Sequence, residues 1–154
     1  MKKLKFKLQL FAGGVLTYNP KKVIVIFGAH QITGFSEDSI ISIEPHGEGM
    51  QKYVGADGEV ARSIDPDETF TITVPLASTS KSNTYLSALY NRDRHTGTTM
   101  LPILIKDLSG DTLFHAEQAW VQNFPEGGRG RVVEEQEWTI DTGQVTNPIL
   151  GGNN

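Results

Sequence analysis

Four histidines, His30, His46, His95 and His115, are the side chains of this sequence best suited to proton transfer or metal ligation near neutral pH. None stands at a metal-ligand spacing from another, and no HExxH, GxSxG or Walker pattern occurs. An enzyme built from this chain would have to gather distant residues, and a cluster of His30, His46 or His115 with a carboxylate in a pocket would be its signature. Cysteine is absent, which excludes a thiolate metal site, a sulfur nucleophile, a disulfide and thiol redox chemistry. The residues point to no catalytic site, no metal and no cofactor.

Other clusters have plainer explanations. Glu134, Glu135 and Glu137 resemble paired catalytic carboxylates. On a strand, however, a period of two puts Glu134 opposite the other two, which makes this a solvated or interface face. His46-Gly47-Glu48-Gly49 is rich in glycine, but no helix follows to offer phosphate-binding amides. Asp65-Pro66-Asp67-Glu68 has the residues of a type I turn and too few ligands at the wrong spacing for a calcium loop. The 127–131 loop, GGRGR, is a single short copy of an arginine-glycine segment, as flexible loops often carry. Trp120 and Trp138 sit on neighbouring predicted strands and are expected in the core; a carbohydrate platform would need both exposed together.

The elements that must position these residues are mostly strands. Residues 22–27 (KVIVIF) are apolar at nearly every position, as in a strand covered on both faces. Gly28-Ala29-His30 turns this strand into 31–35, and 39–44 (SIISIE) reads as another strand, ended by Pro45, Gly47 and Gly49. Residues 48–54 and 59–64 flank Gly55-Ala56-Asp57-Gly58, a hairpin poor in large apolar residues whose glycines suit positive φ. A two-stranded ribbon is marginal alone, so this hairpin is expected to lean on something outside its own core. Residues 69–74 (TFTITV) alternate, with Phe70, Ile72 and Val74 inward and Thr69, Thr71 and Thr73 outward.

One helix is predicted over 80–95, capped by Ser80 or Ser82, with Leu86, Leu89 and Tyr90 as its stripe and Gly97 just beyond. Strands follow at 101–106, 112–117, 119–124 and 132–141, the last with Val132, Trp138 and Ile140 on one face and Glu135, Glu137 and Thr139 on the other. Residues 142–154 read as irregular. Eight or nine short strands and one helix predict a mainly β (α+β) chain: an antiparallel two-sheet β-sandwich or small barrel with one flanking α-helix.

The chain's 154 residues suffice for one core without staples. Its net charge of −4 is uneven: residues 1–22 carry six lysines and no acid, and the remaining eight cations meet eighteen acids. An acidic body argues against general nucleic-acid binding. Lys5 and Lys7 interrupt the apolar stretch of residues 1–14, so no secretory signal is expected, and no window approaches the roughly 18 apolar residues of a spanning helix.

From Tyr18 onward the sequence resembles the tail tube proteins of contractile-tailed bacteriophages. The resemblance is carried by 18–28 (YNPKKVIVIFG), 44–74 (EPHGEGMQKYVGADGEVARSIDPDETFTITV), 82–97 (SNTYLSALYNRDRHTG), 101–125 (LPILIKDLSGDTLFHAEQAWVQNFP) and 137–143 (EWTIDTG). It implies a fold like that of type VI secretion tube proteins, in which six copies close a ring, inner sheets join into a β-lined channel and rings stack. The implied partners are further copies of the chain, a tail sheath, a tape-measure protein, a baseplate hub, a tail terminator and passing double-stranded DNA held without sequence preference, with no membrane. Virions, and the host cytoplasm during assembly, are the implied locations.

By the same resemblance, Met50, Lys52, Tyr53, Asp57, Glu59 and Arg62 belong to a hairpin arm that reaches a neighbouring subunit or ring. Thr69, Thr71, Thr73, Glu135 and Glu137 are candidates for the lumen wall. The implied tube domain spans 18–143, between a basic arm at 1–17 and an irregular tail at 144–154. Residues 1–16 are extra to the family pattern and stand as an ordered arm, a disordered tail or a misplaced start ahead of Leu16. Two other functions compete: the tube of a phage-like or type VI injection machine, and a small β-sandwich module for glycans or receptors.

Overall fold

A computed structural model describes residues 15–152. Most of the basic arm, residues 1–14, lies outside the described residues. After a short 3-10 turn at Pro20–Lys22, nine strands and one helix follow: β1 Val23–Phe27, β2 His30–Gln31, β3 Ser42–Pro45, β4 Met50–Val54, β5 Val60–Ile64, β6 Phe70–Ala77, α1 Ser82–Thr96, β7 Leu101–Asp107, β8 Leu113–Asn123 and β9 Glu135–Thr142. Seven strands form one antiparallel sheet in the order β2-β1-β7-β8-β9-β6-β3, and β4 pairs only with β5. The sheet does not close into a barrel. Edge strand β3 instead faces β1 and β7 across a groove lined by Ile43, Val23 and Ile105.

One face of this curled sheet carries the core, in which Val25, Phe27, Ile72, Val74, Ile103, Ile105, Phe114, Trp138 and Ile140 are buried. Its alternation makes the opposite face polar along β6 and β9, as the TFTITV pattern predicts. The expectation for β1 needs correction. Val25 and Phe27 are buried, but Ile24 and Ile26 remain half-exposed on the second face, opposite Lys106 and Leu104. A strand covered on both faces is not what the isolated chain contains.

β6 runs three residues past its predicted end, through Pro75. The Pro75 carbonyl accepts from Ser36 N–H, so the missing proline N–H points to the side where β3 has already ended. The ladder to β9 therefore loses nothing. The predicted strands 112–117 and 119–124 are one strand, β8, kinked by register shifts against both β7 and β9. β2 is only two residues long, and after it a single bridge joins Phe35 to Leu76. Val132 lies before β9 and is exposed, so it does not share the buried face of Trp138 and Ile140.

The helix packs by Leu86 and Leu89 and ends at Gly97, whose φ of +66° makes the left-handed cap. Ser80 Oγ accepts from Ser82 N–H at 3.2 Å, whereas Ser82 Oγ is turned inward to accept from Thr33 N–H and to meet His30 Nε2 at 2.9 Å. Neither predicted serine sits at the N-cap itself, which is Lys81; Ser80, one residue before it, is the one whose hydroxyl meets a first-turn N–H. Asn83 ties the helix to the sheet: its Oδ1 accepts from the buried Trp138 indole N–H at 2.8 Å, and its Nδ2 donates to the Ala77 and Ser80 carbonyls. The chain after β9 runs back over the body, burying Val145 and bridging Ile149 to Leu113.

Candidate assembly surfaces

The β4–β5 hairpin is exposed along its whole length on both strands. Its tip turns through Gly55 and Gly58: Gly55 N–H donates to the Glu59 carbonyl, Gly58 N–H donates to that of Gly55, and only Gly58, at φ +87°, has positive φ. Asp57 Oδ1 accepts from Glu59 N–H. The expectation of few large apolar residues was too low, because Met50, Tyr53, Val54, Val60 and Ile64 are all more than half exposed. Each strand has two polar residues at its centre and apolar ones at its ends, and register sets the end residues of the two strands opposite each other.

Register sorts the hairpin into two faces. Met50 lies opposite Ile64, Lys52 opposite Arg62 and Val54 opposite Val60, all on one face. Tyr53 opposite Ala61 is on the other. Of the residues singled out from sequence, Met50, Lys52 and Arg62 thus come together, Tyr53 is turned away, and Asp57 and Glu59 shape the tip. Val54, Val60 and Ile64, which complete the first face, were missed. Lys52 and Arg62 stand directly across the ladder, where like charges repel. Among the described residues no carboxylate lies within ion-pair distance of either, the sole such contact being His46 to Asp67.

That contact belongs to the hairpin root. Asp65 accepts from Glu48 N–H through Oδ2 and from Asp67 N–H through Oδ1, and its own N–H donates to the Gly49 carbonyl. Asp67 Oδ1 accepts from Thr69 N–H and Oγ1–H, and its Oδ2 meets His46 Nδ1 at 2.8 Å. The His46 hydrogen bond, followed by those from Thr69, holds the Asp67 carboxyl down to about 2, and the same bond raises His46. Asp65 is lowered by the backbone N–H groups of Glu48 and Asp67. The predicted turn at 65–68 is therefore an Asx-type root, with carboxylates standing in for backbone carbonyls. Gly47 is required there because a Cβ would overlap the Asp67 carbonyl. His46 is 69% exposed and touches no nucleophile, so the pair is a clamp.

The remaining candidates gather on the outward face of β3, β6, β9 and β8. One cross-strand row runs Glu44, Thr71, Asp141, Trp120, and the next runs Ser42, Thr73, Thr139. Thr71 Oγ1 donates to Asp141 Oδ1 at 3.0 Å. Glu137 and Glu135 continue the face opposite Pro75 and Ala77. Thr69 stands just before β6, its hydroxyl held by Asp67. Apart from Trp120, these rows carry acids and hydroxyls and no cation. Trp120 lies on this face, half-exposed, while Trp138 is buried on the other, so the two do not share a platform and only one is in the core.

The other histidines are structural or solitary. His30 stacks on Tyr85 at 4.3 Å and bonds Ser82, while His95 and His115 are exposed on α1 and β8. No group of three or more potential metal ligands occurs among the described residues. The GGRGR loop wraps the Glu134 carboxylate, which a Cβ at Gly128 would strike.

Residues 27–151 match the family described as the bacteriophage PhiTE tail tube protein. The chain belongs to that family. Tube proteins of this family are structural, not enzymatic, and the chain is a structural component of a phage tail. It is 35% identical over 143 residues, 88% of its own length and 83% of the relative's, to structural protein ORF10 of Pseudomonas phage KPP10. The fold is shared with a chain of the sheath-tube complex of an extracellular contractile injection system, PVC (TM-score 0.60, 16% identity, covering 86% of this chain and 93% of the other). A chain of the anti-feeding prophage tube-terminating cap is similar too (TM-score 0.57, 14% identity, covering 85% and 91%).

Proposed function

We propose that copies of this chain close into hexameric rings that stack as the tube of a contractile tail, and that the tube conducts double-stranded DNA during ejection. The observation that carries this reading is the cation-free face of β3, β6, β9 and β8, bounded on both sides by unpaired backbone. Among the described residues β3 has no partner beyond β6, and β8 beyond Ala119 has no partner on its β7 side. Bare edges of this kind are an aggregation hazard in a monomer and a means of closure in a ring. Joining β3 of one copy to the distal half of β8 of the next would extend the polar face around a channel.

In this reading Thr71, Thr73, Glu135 and Glu137 line the lumen, with Thr69 at the end of their row. A wall of acids and hydroxyls repels and releases a passing polyanion, which a conduit requires. Met50, Lys52, Tyr53, Asp57, Glu59 and Arg62 form the arm that reaches another copy. The half-exposed Ile24, Ile26 and Leu104 lie on the outward face of β1 and β7, where a sheath would sit. A tape-measure protein inside, and a baseplate hub and tail terminator at the ends, complete the set of partners, met in the host cytoplasm during assembly.

Negative-stain microscopy across concentration, with light-scattering mass, tests the reading. Hollow rings or tubes with a repeating mass of about six 16.9 kDa chains are expected. A chain that stays monomeric at every concentration, even with preformed tube ends added, overturns it.

A further inference from the structure

Resting on the tube reading above, we infer that residues 3–10 of the basic arm pair as an added strand with the free edge of β3 in the unassembled copy, and so hold the edge that ring closure needs. The arm lies outside the described residues, but its sequence has a strict period of two: Leu4, Phe6, Leu8 and Leu10 alternate with Lys3, Lys5, Lys7 and Gln9. Laid out as a strand, that pattern puts four large apolar side chains on one face and three cations on the other. Gly13 and Gly14 follow, the residues best able to take up a turn ahead of Val15, where the described chain begins.

The edge of β3 is the counterpart. His46 N–H donates to the Thr69 carbonyl, so by the alternation of an antiparallel ladder the N–H and C=O of Ile43 point away from β6. Pro45, at the next such position, has no N–H to point there and offers its carbonyl alone. The two faces of β3 differ as the two faces of the arm do. On the inner side Ile41 and Ile43 pack against the core and form a hollow with Val23, Ile105 and Tyr18. Beyond Pro45 a second hollow, at the hairpin root, holds Phe70, Val145 and Pro148. On the outer side stands Glu44, exposed and, among the described residues, without an ion pair. The arm's leucines suit the hollows, and a lysine beside Glu44 makes the cross-strand pair of opposite charge that stabilises a sheet.

Position makes the chain's own arm the occupant. Tyr18 lines the same hollow as Ile43, and the eight residues from Leu10 to Tyr18 span up to about 26 Å, enough to reach the β3 edge. Followed back from Tyr18, the arm meets the first hollow with Leu10 and Leu8 and carries its lysines towards the second, where Glu48 and Glu68 are exposed. That course runs antiparallel to β3, as every pairing in this sheet does. In the ring, the distal half of β8 from the next copy would take the same backbone groups. Arm and neighbour therefore exclude each other: the arm covers an edge that is a hazard in a free copy, and its release returns the outer face to its cation-free state.

Disulfide trapping in the full chain tests the pairing, since the sequence has no cysteine of its own. Glu44 occupies a non-hydrogen-bonded position towards the free edge, where facing residues come within disulfide reach. Glu44→Cys, combined in turn with Lys3→Cys, Lys5→Cys and Lys7→Cys, is expected to oxidise within one chain at one of these, leaving a monomer without free thiols. Phe6→Cys and Leu8→Cys, on the other face, should oxidise more slowly with it under the same conditions. Disulfides between chains, none at all, or equal oxidation at lysine and apolar positions would overturn the pairing. Pelleting assays read its consequence, with circular dichroism confirming that each variant is folded. An arm that holds the edge about nine-tenths of the time raises the concentration for half-polymerisation about tenfold, so Phe6→Asp with Leu8→Asp is expected to lower it by about that factor. The oxidised chain should stay unassembled until it is reduced. If it assembles as readily as its reduced form, the arm does not guard the edge, although the tube reading stands. A parent chain that never polymerises, even with preformed tube ends, brings down the tube reading and the guarding role together, and the disulfide result alone then decides the pairing.

Discussion

Replacing Asn83 by alanine is expected to destabilise the body strongly, because it orphans a buried donor. Trp138 is 1% exposed, and Asn83 Oδ1, at 2.8 Å, is the acceptor of its indole N–H. The substitution leaves that donor unpaired in the core and also strips donors from the Ala77 and Ser80 carbonyls. An orphaned buried donor costs about 1–3 kcal/mol and each lost neutral hydrogen bond about 1 kcal/mol, so a total near 3 kcal/mol is expected. With a urea m-value of about 2 kcal/mol/M, the unfolding midpoint should fall by about 1.5 M. Trp138→Phe removes the donor instead, and the double variant isolates the pair: a coupling of about 1 kcal/mol or more is expected between side chains that share a bond. The measurement is equilibrium urea unfolding by circular dichroism at a concentration where the protein is monomeric. A midpoint loss below about 0.3 M, or additive single effects, would refute the claim that this bond fixes the helix to the sheet.

Thr73→Lys with Glu137→Lys should leave tubes intact and slow DNA ejection from virions; unchanged ejection kinetics would remove those residues from the wall. Gly97→Ala meets no neighbour and should cost only the left-handed strain, about 1 kcal/mol, whereas Gly28→Ala adds a clash with the Tyr85 hydroxyl and Leu101 and should lower the melting temperature further. The root clamp should depend on pH in both directions. Raised His46 stabilises fully below its ordinary value of 6.5 and loses that stabilisation as pH rises through its folded value, while lowered Asp67 stabilises above 3.8 and loses it as pH falls towards about 2. Amide protection at Glu48 and Thr69 should therefore peak between about pH 4 and 6.5, and a flat profile would show that the pair carries no weight.

How far such features could be read from sequence depended on the range of the physics behind them. The alternation of Thr69 to Val74, the stripe of Leu86, Leu89 and Tyr90 and the cap at Gly97 are local, and each appeared in the structure as expected. The lengths of β6 and β8 were not local. Pro75 reads as a strand breaker until one knows that its missing N–H faces away from the β9 ladder, and the fusion of 112–117 with 119–124 depends on bulges that both neighbouring strands impose. Ser82 looked like a helix cap because nothing nearby in sequence told of Thr33 or His30. The polar face was visible as two separate strands of threonine and glutamate. That Asp141, Glu44 and Trp120 share its rows follows only from register.

The hairpin was the hardest element to read, and for an instructive reason. Its local pattern is sound for a ribbon, with glycines at the tip and polar residues at the centre of each strand, yet register makes both strands present apolar pairs and facing cations to water. A monomer selected for its own stability would blunt such a face, since an exposed two-stranded ribbon of this composition gains little by folding and invites aggregation. Instead the chain anchors the ribbon's root with two aspartates and a histidine while leaving the ribbon itself unsupported. Local consistency combined with missing burial is what a surface designed for another copy produces. The bare edges of β3 and β8 and the half-covered isoleucines of β1 share that property, and a tube is an architecture in which all of them can be buried at once.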